Sequence, residues 1–168
     1  AQSETQGKLR GLGLCCYIES ILGDPTETSR ICFNENGSVD LYVGTQSNGQ
    51  GHETVYAQYL VDQVGIPFNL INVIQGDSDK IPTGGGTGGS RSTTVQNSAT
   101  LALVGTTIER YSRFLALENG VGTAAVSFDD EVFRIDGSNV VFSIMDASNL
   151  ARLKGEVDLL DISQKATL

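Results

Sequence analysis

The chain has 168 residues, of which 39% are hydrophobic and 18% charged, with a formal net charge of -9. Such a composition is globular and fits one domain of ordinary size with a real core. The acidic balance argues against non-specific binding to nucleic acid or to an anionic membrane, since both need a basic footprint.

An anionic small ligand is compatible with that charge, because helix N-termini and a local Arg can bind one. Cys15, Cys16 and Cys32 are the only cysteines and form no Cys-x-x-Cys pair, so neither a disulfide framework nor a zinc site is expected. A single histidine weighs against histidine-based metal chemistry. The expectation is a reducing, cytoplasmic setting. No run approaches the roughly 18 apolar residues of a membrane span. The opening AQSETQGKLR is polar and carries no signal-peptide pattern. Both ends could equally be cut points within a larger protein.

Taken in chain order, residues 1–7 read as a flexible lead-in, and 8–168 as one domain. In KLRGLGLCCYIES, the alternation of Leu12, Leu14, Cys16 and Ile18 predicts a strand. Gly11 and Gly13 on its other face imply close packing, and Cys15 and Cys16 are expected as small buried hydrophobes. GDPTETS reads as a turn. RICFNENGSVDLYVG predicts a hairpin turning at Asn36-Gly37. ETVYAQYLVDQVG carries Val55/Tyr56, Tyr59/Leu60 and Val64 at helical spacing, and Gly65 and Pro67 stop that helix. NLINVIQG is a short apolar strand. After the breaker-rich DSDKIPTGGGTGGSRST, a long helix is predicted over 94–118, apolar on two faces. AAVSFDDEVFRIDGSNVVFSIM is strand-rich, with Asp136-Gly137 as a turn. DASNLARLKG predicts a short helix capped by Asp146 or Ser148. The order β-β-β-α-β-α-β-β-β-α predicts an α+β class: a two-layer domain with a mixed sheet and packed helices.

Two glycine loops open helices: Gly49-Gln50-Gly51-His52, and Gly84 to Thr93. A helix start offers unpaired N–H groups and a partial positive charge. Glycine there lets a ligand approach the backbone. Gly84, Gly86 and Gly89 form a nominal G-x-G-x-x-G. The dinucleotide fingerprint needs a tight strand-to-helix turn, however, and here a long loop precedes the glycines. Walker A fails too, because Ser90-Arg91 stands where Lys-Ser/Thr is needed. SRST is suited to phosphate. His52 reads more readily as a capping or packing residue than as a catalyst, and Glu53 as a charge favoured by the helix dipole. Tyr56 and Tyr59 read as core. Asp77, Asp79 and Lys80 read as a solvated loop.

GTQSNGQGHETVYAQ and GDSDKIPTGGGTGGSRST, in this order and flanked upstream by GKLRGLGLCCYIE, resemble the molybdenum-cofactor-binding large subunit of the xanthine dehydrogenase / aldehyde oxidase family. The likeness is greater to its carbon monoxide dehydrogenase-like branch and runs from about Gly7 to Met145. The resemblance implies that Gly49, Gln50 and Gly51 lie against the pyranopterin. It places His52 and Thr54 near the pterin or its pyrophosphate. Gly88, Gly89, Ser90, Arg91 and Ser92 are then the second cofactor loop. It implies molybdopterin cytosine dinucleotide with molybdenum as cofactor. The implied partners are the rest of the large subunit together with iron–sulfur and FAD subunits. No residue here matches the family's catalytic glutamate, and no metal ligand is expected, because the dithiolene holds the metal. The resemblance therefore implies one domain of a molybdenum hydroxylase, inactive and cofactor-free by itself. The alternative is a stand-alone nucleotide- or cofactor-binding accessory domain without catalysis.

Overall fold

The computed structural model describes residues 3–168. Strands β1 (Thr26–Phe33) and β2 (Val39–Val43) form the foreseen hairpin, with Gly37 in the left-handed region at φ 81°. Helix α1 (His52–Val64) ends at Gly65, whose N–H donates to Val61 O from a left-handed backbone (φ 69°). β3 (Ile71–Ile74) then pairs parallel to β2, with Leu41 opposite Val73. The crossover helix is what allows two neighbouring strands to run parallel. Helix α2 (Ser92–Glu118) follows the long loop. A second, antiparallel sheet is built from β4 (Val126–Asp129), β5 (Val132–Ile135) and β6 (Val141–Ser143). Helix α3 (Ile144–Lys154) and strand β7 (Asp161–Thr167) complete the fold. The larger sheet has the order β3-β2-β1-β7 and is mixed. The α+β class therefore holds, with a small sheet in addition to the mixed one.

One face of the larger sheet is buried. β1 and β2 alternate strictly between buried and half-buried residues. Ile31 stands opposite both Leu41 and Ile162, and all three are buried. They join Tyr56, Leu60 and Val64 of α1 and Leu103 and Val104 of α2 in the core cluster. Tyr111 of α2 meets Phe33 and Phe133 edge to face, with ring centroids 5.8 and 6.3 Å apart, which ties the two sheets together. The outer face is polar: Arg30 lies 4.4 Å over the Tyr42 ring and forms a forked pair with Asp161.

Four expectations are corrected. Residues 8–22 form no strand; Leu12, Leu14 and Ile18 are more than nine-tenths exposed, and Cys15 and Cys16 are exposed as well. Alternation specifies two faces but supplies no ladder partner, and no strand of the described residues pairs with this segment. GDPTETS is only partly a turn, since β1 begins at Thr26. The long helix is corrected only in part: Val95, Ala99, Leu103 and Phe114 of one apolar stripe and Val104, Tyr111 and Leu115 of the other are buried as expected, but Leu101 and Leu117 are exposed, and Gln96, Thr100 and Thr107 are buried among them. The cap of α3 is Ser143, whose Oγ accepts from Asp146 N while the Asp146 carboxylate accepts from Ser143 N. Strand β7 was not foreseen, because DISQKAT contributes only one fully buried side chain, Ile162.

Candidate functional site

β2 and β3 are parallel neighbours, so the loops that leave them emerge at the same end of the sheet. The first loop leads into α1 and the second into α2, and the two touch. Gly86 N donates to Gly44 O at 3.2 Å, and Thr87 Oγ1 donates to Gln46 O at 2.5 Å. A Cβ on Gly44 would come within 2.8 Å of Gly84 Cα, and one on Gly84 within 2.6 Å of Gly44 Cα. Backbone contact this close demands glycine on both sides. Gln75 braces the first loop from β3: its Oε1 accepts from Ser47 N at 2.8 Å and its Nε2 donates to Glu53 at 2.5 Å. One hollow of about 350 Å³ lies among Gly44, Gln46, Asp77, Ile81, Gly84 and Gly86. A second of about 350 Å³ lies among Leu22, Asp24, Thr87, Gly88, Gly89 and Arg91.

The residues singled out in the first loop have distinct surroundings. Gly49 (φ 106°) and Gly51 (φ 79°) hold left-handed conformations, and a Cβ on either would meet nothing within 4 Å. The Gln50 side chain is exposed, and its Oε1 accepts from Asn48 N at 2.5 Å, closing its own loop. Thr54 is exposed on the first turn of α1. His52 is buried at 3% exposure, with Nδ1 3.0 Å from Thr45 O. A carbonyl only accepts, so Nδ1 carries a proton and donates it to Thr45 O. Tyr56 Oη is 2.7 Å from Thr45 Oγ1, which donates to Gln96 Oε1 at 3.2 Å. Burial, opposed by the Thr45 hydrogen bond, pushes the Tyr56 phenol pKa up. Gln96 Oε1 also accepts from Gly44 N at 3.0 Å, and Gln96 Nε2 donates to Thr28 O at 3.2 Å. His52 thus belongs to a buried network that fixes where α1 begins.

In the second loop, Ser90 is exposed and strained at φ 53°. Gly89 (φ 58°) packs against Leu22, and its carbonyl accepts from Leu22 N at 2.8 Å. Gly88 has no positive φ and no neighbour that a Cβ would meet, so the chain's own packing does not require glycine there. Ser92 is buried, and its Oγ donates to Thr87 Oγ1 at 3.2 Å. Arg91 is buried, and its guanidinium donates to Asp24 O, Thr26 O, Gly86 O and the Glu27 carboxylate. The Asp24 carboxyl pKa is lowered, first by the Thr26 backbone N–H and also by the Arg91 charge. The structure thus brings both predicted loops together but turns the Arg91 fork inward. Sequence reasoning missed Glu27, Gly44, Gln75 and Gln96. Glu27 lay in a stretch read as a turn, and Gln96 at a position that helix periodicity alone leaves ambiguous.

Neither α1 nor α2 has a side-chain cap at its N-terminus. Among the described residues, no group of three or more His, Cys, Asp or Glu side chains is placed to hold a metal. Residues 1–164 match the model of a molybdopterin cofactor-binding domain. The chain belongs to that family, the molybdenum-cofactor-binding part of xanthine dehydrogenase and carbon monoxide dehydrogenase-like oxidoreductases. Its relatives include the carbon monoxide dehydrogenase large chain of Afipia carboxidovorans, 31% identical over 150 residues that make up 82% of this chain and 18% of that one. The nicotine 6-hydroxylase large subunit of Paenarthrobacter nicotinovorans is 36% identical over 107 residues, 56% of this chain and 13% of that one. A crystal structure of Cu,Mo-CO dehydrogenase superposes with a TM-score of 0.74 at 28% identity, covering 84% of this chain and 18% of that one. This molybdopterin-binding chain therefore spans less than a fifth of the length of these relatives.

Proposed function

We propose that this chain contributes half of a cofactor site in a molybdenum hydroxylase, with molybdopterin cytosine dinucleotide lying across the starts of α1 and α2. The observation that carries the reading is a pair of adjoining glycine loops, each opening a helix that no side chain caps. Two such starts concentrate unclaimed N–H groups and positive dipole ends on one small area, which fits a pyrophosphate or a polar ring edge. The overall negative charge of the chain does not prevent this, because the attraction is local and distant charges are screened.

In this reading Gly49 and Gly51 let the pterin approach the backbone, and Gln50 presents its amide beside them. His52 fixes the loop from below through Thr45, and Thr54 lies on the open face of the first turn. Gly88 gives the closest approach in the second loop, because nothing in the fold needs its small size. Gly89 and Ser90 aim the start of α2, while Arg91 and Ser92 hold the loop in shape. When bound, the cofactor supplies two-electron oxidation of a substrate with an oxygen atom taken from water. This chain's residues bind and orient it. The catalytic base is expected elsewhere in the large subunit. Electrons would leave through iron–sulfur and FAD subunits, and the enzyme would work in the cytoplasm. No helix of the described residues is long and apolar enough to cross a membrane. By itself the 168-residue chain would lack the remaining walls of the site and be inactive.

The test is made in the complete large subunit with its partners, by measuring molybdenum and released cytosine nucleotide per subunit. Gln50→Ala combined with Gly88→Val should strip most of both. Full retention of molybdenum and nucleotide would remove these residues from the site.

A further inference from the structure

We infer that Glu27 is a positioning residue for the second cofactor loop and that Arg91 serves this pairing instead of gripping phosphate. The inference rests on the cofactor reading above and adds a residue to it.

The two side chains are almost completely buried, Glu27 at 1% and Arg91 at 4% exposure, with Arg91 Nη1 3.2 Å from Glu27 Oε2. Glu27 Oε2 also accepts from Gly85 N at 2.9 Å, and Oε1 accepts from Thr28 N at 3.0 Å. Arg91 donates through Nε to Asp24 O (2.8 Å), through Nη1 to Gly86 O (2.8 Å) and through Nη2 to Thr26 O (2.9 Å). A guanidinium has five N–H groups in a rigid fork, and this one is committed in four directions to protein. The pair stitches three segments: the entry to β1, the glycine loop at 84–86, and the residue that opens α2.

Glycines are spent on making room for it. A Cβ on Gly85 would lie 2.5 Å from Arg91 Nη1, and one on Gly44 would lie 2.2 Å from Glu27 Oε1. Both cofactor loops are therefore moulded around the same carboxylate and guanidinium. A buried ion pair adds little net stability compared with apolar side chains of the same size, yet removing one partner leaves a charge stranded. What the pair does supply is direction, because a planar fork and a carboxylate fix the angle of everything bonded to them. The two charges cancel locally. Attraction for an anion at this loop then comes from the backbone N–H groups and dipole of α2, which Arg91 aims.

The experiment compares wild type, Glu27→Gln, Arg91→Lys, their double variant and Gly85→Ala in the complete large subunit with its partner subunits. Cofactor affinity is followed by molybdenum and nucleotide release, and the electron paramagnetic resonance spectrum of the molybdenum centre is recorded on the loaded fraction. Glu27→Gln and Arg91→Lys should each weaken retention about 10- to 100-fold, the usual effect of losing a group that orients a cofactor ligand. The double variant should be no worse than the poorer single one, and the spectrum should change as the loop shifts. Gly85→Ala keeps both charges and distorts the pair from the side; it carries the test where the charge variants fail to fold. Retention at or above the wild-type level in Glu27→Gln, with loss in Arg91→Lys, would mean a direct phosphate contact and overturn the inference. So would lowered melting temperatures with unchanged affinity and spectrum. Gly51→Val separates the two levels: if it alone releases cofactor, the site stands and the Glu27 role falls; if it too retains cofactor, the site assignment itself falls.

Discussion

Helix α3 and helices α1 and α2 begin in opposite ways. At α3, Ser143 and Asp146 close a reciprocal capping box, so the helix start is satisfied by its own side chains. At α1 the capping position is Gly51, and at α2 it is Arg91, whose side chain points away into a buried ion pair. A helix that only has to fold closes its own end. Helices α1 and α2 have no such side-chain cap, and the loops before them turn through positive φ at Gly49, Gly51, Gly89 and Ser90, of which only Ser90 is strained. Under the cofactor reading proposed above, the start of α3 serves stability and the starts of α1 and α2 serve binding.

Several substitutions break or sharpen that contrast. The largest effect is expected from Gly44→Ala, because its Cβ would run into the Glu27 carboxylate and the Gly84 backbone together. Overpacking of this kind costs about 1–3 kcal/mol, and both the melting temperature and cofactor content should fall. Gly51→Ala meets no neighbour but must hold a left-handed backbone at φ 79°, at a cost of about 1–2 kcal/mol. Its loss of cofactor should exceed what its modest loss of stability explains, as judged by comparing melting with nucleotide content. Ser143→Ala removes the α3 cap and should cost about 1 kcal/mol in denaturant unfolding. Cofactor content should not change; a drop would show that the two kinds of helix start are not independent. The smallest effect belongs to Asp24→Asn. Because the Asp24 pKa is lowered in the fold, its contribution is present above the ordinary value of 3.8 and is lost as pH falls through the lowered one. The variant and wild type should therefore converge in stability in acid and separate slightly near neutral pH, as followed by thermal melting across that range.

Much of the framework was legible in the chain. Asn36-Gly37 marked the first hairpin, Gly65 and Pro67 the end of α1, and a glycine loop preceded each of the two helices that matter. These signals are local: a turn or a cap depends on a few adjacent residues, so the sequence carries them whole. The failures share a different cause. Leu12, Leu14 and Ile18 alternate as a strand does, but pairing needs a second strand that alternation cannot supply. DISQKAT became an edge strand because β1 offered a free ladder, which its own composition does not announce. Asp146 was recognised as belonging to the start of α3, but as the cap itself and not as the partner of Ser143.

The site divides along the same line. Gly49, Gln50, Gly51, Gly88, Gly89 and Ser90 could be named from two stretches of sequence, because a glycine loop before a helix is a contiguous pattern. Glu27 and Arg91 are 64 residues apart, and Gln96 reaches Gly44 across 52. No local pattern encodes those meetings. They exist because β2 and β3 run parallel and deliver both loops to one end of the sheet, where β1 starts. The sequence by itself determined which segments could offer open backbone to a ligand. Only the tertiary structure decided that Arg91 turns inward, because a buried carboxylate at Glu27 satisfies its guanidinium among three carbonyls.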